Sequence, residues 1–377
     1  MAGIYIHIPF CKQACSYCNF YFSVSLGQKE KLIAALLKEI ELTQEYLENE
    51  KIETIYFGGG TPSLLTGDEV MRVIDKISAY HDINEIKEFT LEANPDDLSK
   101  SKVAEFKALK SIGLNRFSIG VQSFFDEDLL YMNRAHNATE AESSIKRVQD
   151  AGFDNLTIDL IYGTPTMNDE HWMQNLEKVY QLDIPHISSY ALTVEPKTTL
   201  FSQIQKGKAK PVDEEQSARQ FKILMKEMLA NGYEQYEISN YAKPGHYAVH
   251  NSNYWFGKKY LGLGPSAHSF NGKARRWNIA NNNSYTESLS QSKLNFEEEI
   301  LTEAQKVNER IMTSLRTQWG LRISDLPSGW QARILELIES DLPKLDESFY
   351  MYKDKVLTLT DEGKLFADRI AANLFVE

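Results

Sequence analysis

Three cysteines are the whole thiol supply of this 377-residue chain, and all fall in Cys11-Lys12-Gln13-Ala14-Cys15-Ser16-Tyr17-Cys18. Three is an awkward number for structural chemistry. Disulfides consume cysteines in pairs, and structural zinc usually takes four ligands. Three thiolates on one loop suit a [4Fe–4S] cluster with one iron left without a protein ligand. An open iron is a place for a substrate or a second cofactor. Two other readings stand beside this one: a three-cysteine zinc site completed by His7, and free thiols that share no metal.

Other polar groups interrupt apolar runs. Gly58-Gly59-Gly60-Thr61-Pro62 follows a strand-like stretch. Glycine lets a backbone approach a ligand closely, although a plain tight turn also explains such a run. Glu92 ends Phe89-Thr90-Leu91-Glu92, Gln122 ends Ile119-Gly120-Val121-Gln122, and Asp159 lies inside Leu156–Tyr162. A buried carboxylate in an apolar strand is costly unless it is paired. Arg134, in Asn133-Arg134-Ala135-His136, could supply the positive partner.

The CxxxCxxC spacing, with Tyr17 before the last cysteine, resembles the radical S-adenosylmethionine (SAM) superfamily. The resemblance narrows to the oxygen-independent coproporphyrinogen III oxidase-like family, and within it to the HemW-type heme chaperones. Its carriers are His7-Ile8-Pro9-Phe10-Cys11, Gly58–Pro62, Gly120-Val121-Gln122, Asn133-Arg134, Ile158–Gly163, Gly262–His268 and His250-Asn251-Ser252-Asn253-Tyr254-Trp255. The resemblance implies a [4Fe–4S] cluster on Cys11, Cys15 and Cys18, with SAM chelated at the open iron. Tyr5, Gly59, Gly60, Thr61, Glu92, Gln122, Arg134, Asp159 and Ala191 correspond to SAM-contacting positions; Gly58 and Tyr17 join them as neighbours of the cofactor. The oxidase branch has room for two SAM molecules, so part of this set can line a second pocket.

One position divides the branches. The oxidases carry a fourth cysteine two residues after the third, where this chain has Phe20. The segment His250–Trp255 fits the HNxxYW pattern of the chaperones. That implies heme as a third cofactor, with His250 as an iron or porphyrin contact and Tyr254 and Trp255 as flat apolar wall. The implied partners are heme or a porphyrin and acceptor hemoproteins, membrane-bound respiratory enzymes among them. The competing function is decarboxylation of coproporphyrinogen by β-hydrogen abstraction. A radical SAM enzyme of another substrate is a third reading.

These residues need a scaffold. Strand-like runs occur at Ile4–Ile8, Thr54–Phe57, Glu88–Glu92, Arg116–Val121, Leu156–Tyr162 and His186–Leu192. Helical patterns near Lys29–Glu48, Asp68–Tyr80, Ser101–Ile112, Thr139–Asp150 and Asp169–Gln181 separate them. This alternation predicts parallel strands with right-handed crossovers. Six units, against the eight of a closed barrel, suggest an α/β fold with a partial (β/α)6 radical SAM barrel, and an open doubly wound sheet is the alternative. Polar residues at strand ends would then meet at one mouth.

Past residue 195 the rhythm breaks. A helix is expected near Asp213–Asn231, and residues 233–285 are rich in Tyr, Asn, Gly and Trp. The tail reads helix, short segment, helix, hairpin, helix, the order of a winged-helix-like α+β domain. The expected division is 1–240 for the barrel, 241–295 for a connection and 296–377 for the tail.

Composition bounds the function. Hydrophobic residues at 42% and charged residues at 25% are ordinary for a globular protein. The net charge of −12 disfavours nucleic acid as a partner, because phosphate binding needs a basic field. The winged-helix-like tail therefore reads as a packing or lid domain. No apolar run reaches ~18 residues, as a membrane span requires. The first ten residues lack a basic n-region, and His7 and Pro9 interrupt their apolar stretch, so no signal peptide is expected. Reduced thiols fit the cytoplasm, with docking to a membrane protein left open. Monomer and homodimer are equally compatible with the sequence.

Overall fold

The computed structural model describes residues 1–377. The six expected strands are β1 (Ala2–Ile8), β2 (Ile52–Gly59), β3 (Glu88–Ala93), β4 (Arg116–Gln122), β5 (Asn155–Tyr162) and β6 (His186–Ala191). Each pairs in parallel with the next. Side chains alternate between the two faces of a strand, and the sequence exploits that period. Ile4, Ile6, Ile55, Phe57, Phe89, Leu91, Phe117, Ile119, Ile158 and Leu160 are all buried in the apolar core. The intervening residues, Tyr5, Tyr56, Glu92, Arg116, Ser118, Asp159 and Ser188, face the other way and line one cavity. The partial barrel is thus apolar outside, under its helices, and polar inside.

Helices fill the expected slots at Lys29–Leu42, Gly67–Ser78, Lys100–Ala108, Ala138–Asp150 and Asp169–Gln181. Their starts follow local capping chemistry. Thr66 with Glu69, and Asn137 with Glu140, form reciprocal capping boxes. Ser99 caps the third helix, which tightens into a 3₁₀ turn and stops at left-handed Gly113. The first helix ends at Leu42, short of the expected Glu48, and the Thr43 hydroxyl donates back to the Glu39 carbonyl there.

The segment expected to be a connection is built into the same sheet. β7 (Glu234–Glu237) and β8 (Asn240–Ala242) extend it antiparallel beyond β6. β9 (Tyr260–Leu263) returns to lie parallel to β1 as a seventh parallel strand. β10 (His268–Phe270), β11 (Ala274–Asn278) and β12 (Phe296–Ile300) continue antiparallel from it, giving twelve strands in all.

The tail matches the winged-helix order. Helices Glu303–Leu315 and Ser328–Ser340 pack with a three-stranded sheet of β13 (Leu321–Arg322), β14 (Tyr350–Lys353) and β15 (Val356–Leu359). Val307, Ile311, Leu321, Ile334, Leu357 and Ile370 form its own core, separate from that of the large sheet.

Candidate functional site

A cavity of about 640 Å³ occupies the barrel interior. At its mouth lie Cys11, Cys15, Tyr17 and Cys18, followed by Gly59, Gly60, Thr61, Gln122, Arg134 and Ala191. Tyr5, Glu92 and Asp159 line its middle, and His250 and Tyr254 reach it near the starting ends of the strands. Of the cysteines and the residues expected to hold SAM or heme, only Gly58 and Trp255 do not line it, and His7, the fourth ligand of the zinc reading, does not line it either.

The cysteine loop is anchored to the turn after β4. Asn133, at φ +54°, donates to the Ala14 carbonyl at 2.7 Å, and Gln13 donates back to the Asn133 carbonyl at 2.8 Å. The Ser16 amide donates to the Met132 carbonyl at 3.0 Å. Arg134 completes the clamp. One of its terminal nitrogens donates to Cys15 Sγ at 3.2 Å; the other donates to Asn94 Oδ1 at 2.7 Å and to the Gly120 carbonyl at 2.8 Å. Burial opposes the guanidinium charge, but Tyr17 and Cys15 outweigh it and raise its pKa. None of the cysteines is in a disulfide. Burial chiefly pushes the Cys11 thiol up to about 11, with the neighbouring thiols adding, and raises Cys18 as well.

The glycine run presses against this loop. A Cβ on Gly60 would stand 2.6 Å from the Phe10 carbonyl oxygen and 2.8 Å from that of Ile8. Gly59 takes φ +106°, and a Cβ there would meet the His7 ring at 2.5 Å. Only glycine therefore lets β2 and the strand feeding the cysteines lie this close. His7 has its ring nitrogens at 3.1 Å from the Tyr5 hydroxyl and 3.0 Å from the Tyr21 carbonyl, which leaves none for a metal.

Two carboxylates face the middle of the cavity. Glu92 accepts from the Tyr56 hydroxyl at 2.7 Å and from the Gly59 amide at 3.1 Å. Burial raises its pKa to about 7, with Asp159 contributing in the same direction. Burial likewise raises Asp159 to about 6, against hydrogen bonding from Ser188 and the charges of Arg116 and Arg134. Both groups sit within reach of physiological pH, the range in which a bound cation can draw off their protons.

The floor is a closed polar network. His250 is 3% exposed. Its Nδ1 lies 2.7 Å from Thr54 Oγ1 and its Nε2 2.9 Å from the Tyr254 hydroxyl. Its ring stacks on Tyr56 with centroids 5.0 Å apart. Glu88 caps the helix Val249–Trp255 by accepting from the Val249 amide at 2.7 Å and the His250 amide at 3.0 Å. Trp255 faces away, toward the tail. Its carbonyl accepts from Arg310, and the Arg316 guanidinium lies 5.8 Å over its ring. The HNxxYW segment therefore splits: His250 and Tyr254 face the cavity and Trp255 does not.

Sequence reasoning missed several lining residues. Tyr56 backs Glu92, and Asn94 links Arg134 to the Thr61 hydroxyl at 3.0 Å. Arg116 and His186 open β4 and β6 and share Thr157 at the floor. Their signal was available as charged or titratable residues starting apolar strands, in the same parity as Glu92 and Asp159.

The residues fit the cofactors implied by the resemblance. No three His, Cys, Asp or Glu side chains converge on one ion position. Beside the thiols, Arg134 Nε is buried without a partner, and the glycine cradle exposes backbone to the cavity.

Comparison with known proteins agrees. Residues 5–179 match the Radical SAM superfamily. The chain is 34% identical to the heme chaperone HemW of Bacillus subtilis, over 98% of each chain. It is 32% identical to the heme chaperone HemW of Mycobacterium tuberculosis, over 99% of this chain and 94% of the relative. The solved structure of coproporphyrinogen III oxidase (HemN) from Escherichia coli, a radical SAM enzyme, superimposes with a TM-score of 0.83 at 22% identity, covering 100% of this chain and 90% of that one. The last likeness speaks to the fold; the full-length relatives speak to descent, and by them the chain belongs to the HemW family of radical SAM proteins.

Proposed function

We propose that the chain is a heme chaperone. It holds a [4Fe–4S] cluster on Cys11, Cys15 and Cys18 and SAM beside it, binds heme, and hands heme to acceptor hemoproteins, respiratory enzymes among them. The observation that carries this reading is the near full-length relation to proteins named heme chaperones. Phe20 supports it: where the oxidases have a cysteine, this residue is 70% exposed at the cavity mouth. We place the chain in the cytoplasm on its reduced thiols; no helix is long and apolar enough to cross a membrane.

Each residue has a task in this reading. The thiols of Cys11, Cys15 and Cys18 would give up their protons and, as thiolates, ligate three irons. The cluster, when bound, supplies an electron to the SAM sulfonium. Arg134 fixes Cys15 and neutralises part of the thiolate charge. The backbone of Gly59 and Gly60, with Thr61 and Gln122, offers polar groups to the amino-acid end of SAM, and Tyr5, Tyr17 and Ala191 bound its volume. Glu92 and Asp159 present carboxylates whose protons leave when a cation arrives. Tyr56 holds Glu92 Oε1 in position.

Heme enters the reading through the cavity wall. With both imidazole nitrogens engaged, His250 serves as wall and support and not as an iron ligand, and Tyr254 stands beside it. The test is incubation of reconstituted protein with heme and, separately, with coproporphyrinogen, SAM and a reductant. A Soret band retained through gel filtration is the expected result. Release of CO₂ from coproporphyrinogen without heme retention would assign the chain to the oxidases.

A further inference from the structure

A heme iron held by this chain needs a ligand other than His250, both of whose ring nitrogens are engaged. The chain has eight histidines. His7 and His186 also have both nitrogens engaged, and His81 and His136 are buried. His171 lies on the outer helix Asp169–Gln181, stacked on Phe125 with ring centroids 4.3 Å apart. His246 follows β8, whose last residue, Ala242, pairs with the first residue of β6, so it stands at the end of the barrel away from the cysteines. His268 remains. It is exposed, and neither of its ring nitrogens makes a hydrogen bond.

β10 opens at His268, near the strand that feeds the cysteines. Burial chiefly lowers the pKa of His7 on that strand, and the nearness of His268 adds to the effect. Register pairs His268 with Trp277, and Phe270 with both Arg275 and Tyr260. Alternation along the strands gathers these side chains on one face. The His268 ring stacks on Trp277 with centroids 6.1 Å apart and 27° between the planes. The Tyr260 ring lies 4.7 Å from Tyr254, edge to face, and 6.4 Å from Phe270. The aromatic wall of the cavity thus runs outward from Tyr254 through Tyr260 and Phe270 to an open shelf that ends in a free imidazole. Arg275, 5.3 Å over the Phe270 ring, is held by Glu309 of the tail.

We infer, resting on the heme-chaperone reading above, that His268 is the axial ligand of the heme iron and that the shelf of Tyr260, Phe270 and Trp277 is the outer part of the heme site. The cavity, at about 640 Å³, is the size of a pocket for one drug-sized ligand. With SAM inside, it has no room for a tetrapyrrole as well, so the iron is held on the outward continuation of its wall. Packing against the sheet, with the Arg275 charge second, lowers the His268 pKa, which keeps the ring neutral at pH 7. Neutral imidazole is the form that ligates a metal. Ligation forms one Fe–N bond from the nitrogen lone pair and displaces solvent; nothing is oxidised or reduced. Trp277 is a positioning residue that backs the imidazole, and Tyr260 and Phe270 offer apolar surface to the macrocycle. An exposed ligand also suits delivery, because a side chain of the acceptor can replace it without opening the barrel.

The test uses the cluster-loaded full chain and ferric heme. Heme retained through gel filtration is counted as pyridine hemochrome, which the iron–sulfur absorbance does not mask, and iron ligation is read by electron paramagnetic resonance. His268→Ala should lose the retained heme and the imidazole signature, keep its cluster and its urea midpoint, and regain heme when free imidazole is added. His171→Ala and His246→Ala should match the parent. Heme retained by His268→Ala with the parent's resonance overturns the inference and leaves the chaperone reading standing. So does loss of heme from His246→Ala with His268→Ala unaffected. A loss in His268→Ala that free imidazole does not repair makes His268 a wall residue and likewise overturns its role as ligand. A parent that retains no heme overturns the chaperone reading and this inference together.

Discussion

His250→Ala distinguishes a structural floor from a heme ligand, and its cost can be worked out. The substitution removes two buried hydrogen bonds, to Thr54 at 2.7 Å and to Tyr254 at 2.9 Å, and leaves both partners unsatisfied. Each such loss costs about 1.5 kcal/mol, in the lower part of the ~1–3 kcal/mol of an unsatisfied buried polar group. The stacked contact with Tyr56 contributes about 1 kcal/mol more. The sum is about 4 kcal/mol at neutral pH, a large part of the ~5–15 kcal/mol that holds a domain together. Burial, with Arg116 assisting, lowers the His250 pKa to about 3. The folded value lies below the unfolded one, near 6.5, so the folded chain refuses a proton that the unfolded chain accepts. Stability from the neutral imidazole is therefore full above pH 6.5 and falls by about 1.4 kcal/mol per unit on acidification toward 3. The variant lacks this slope, so the gap between parent and variant should shrink to about 2 kcal/mol at pH 5. Urea titrations of the cofactor-free protein, followed by circular dichroism at both pH values, measure it. His250→Gln, which keeps one hydrogen bond, should recover about half the loss. A variant as stable as the parent that has lost heme while retaining its cluster would refute the argument and make His250 a heme ligand.

Cys11→Ala, Cys15→Ala and Cys18→Ala should each abolish the broad absorbance near 400 nm and lower the iron content; a single variant with a full complement of iron counts against the cluster assignment. Gly60→Ala should displace the Phe10 backbone and with it the cysteine loop, so the reconstituted protein should hold less iron, measured per chain. SAM affinity should rise with pH through about 7, because Glu92 must release its proton to meet a cation, and should weaken up to about tenfold per unit below that value. Equilibrium dialysis across pH measures it. Glu92→Gln should bind more weakly and show a flatter profile; a variant with the parent's slope places the titrating group elsewhere.

Much of the fold follows from period and punctuation. The six strand–helix units and the starts at Ser99, Asn137 and Asp213 rest on local chemistry, and local chemistry is what a sequence displays. β9 was not legible. Its four residues carry Gly262, and pairing with β1 depends on a partner more than 250 positions away. The candidate site divides in the same way. Cysteine spacing, the glycine run and the strand-end carboxylates stand out by residue type. Tyr56 and Arg116 required knowing which parity faces inward, which the register supplies. Trp255 misled because adjacency in sequence is not adjacency on a helix: about 100° separates it from Tyr254.

The seven-residue helix Val249–Trp255 belongs to two bodies at once. One side supplies His250 and Tyr254 to the cavity. The other offers Trp255 to Arg310 and Arg316, while the next residue, Phe256, packs on Trp319 at 4.7 Å. Two turns of helix hold no slack, and Glu88 pins their start to β3. Such a partition is a party wall: what leans on it from the occupied room is heard in the next. The cavity wall and the packing of the tail therefore share one short rigid element, and a substitution that shifts this helix moves residues on both sides of it.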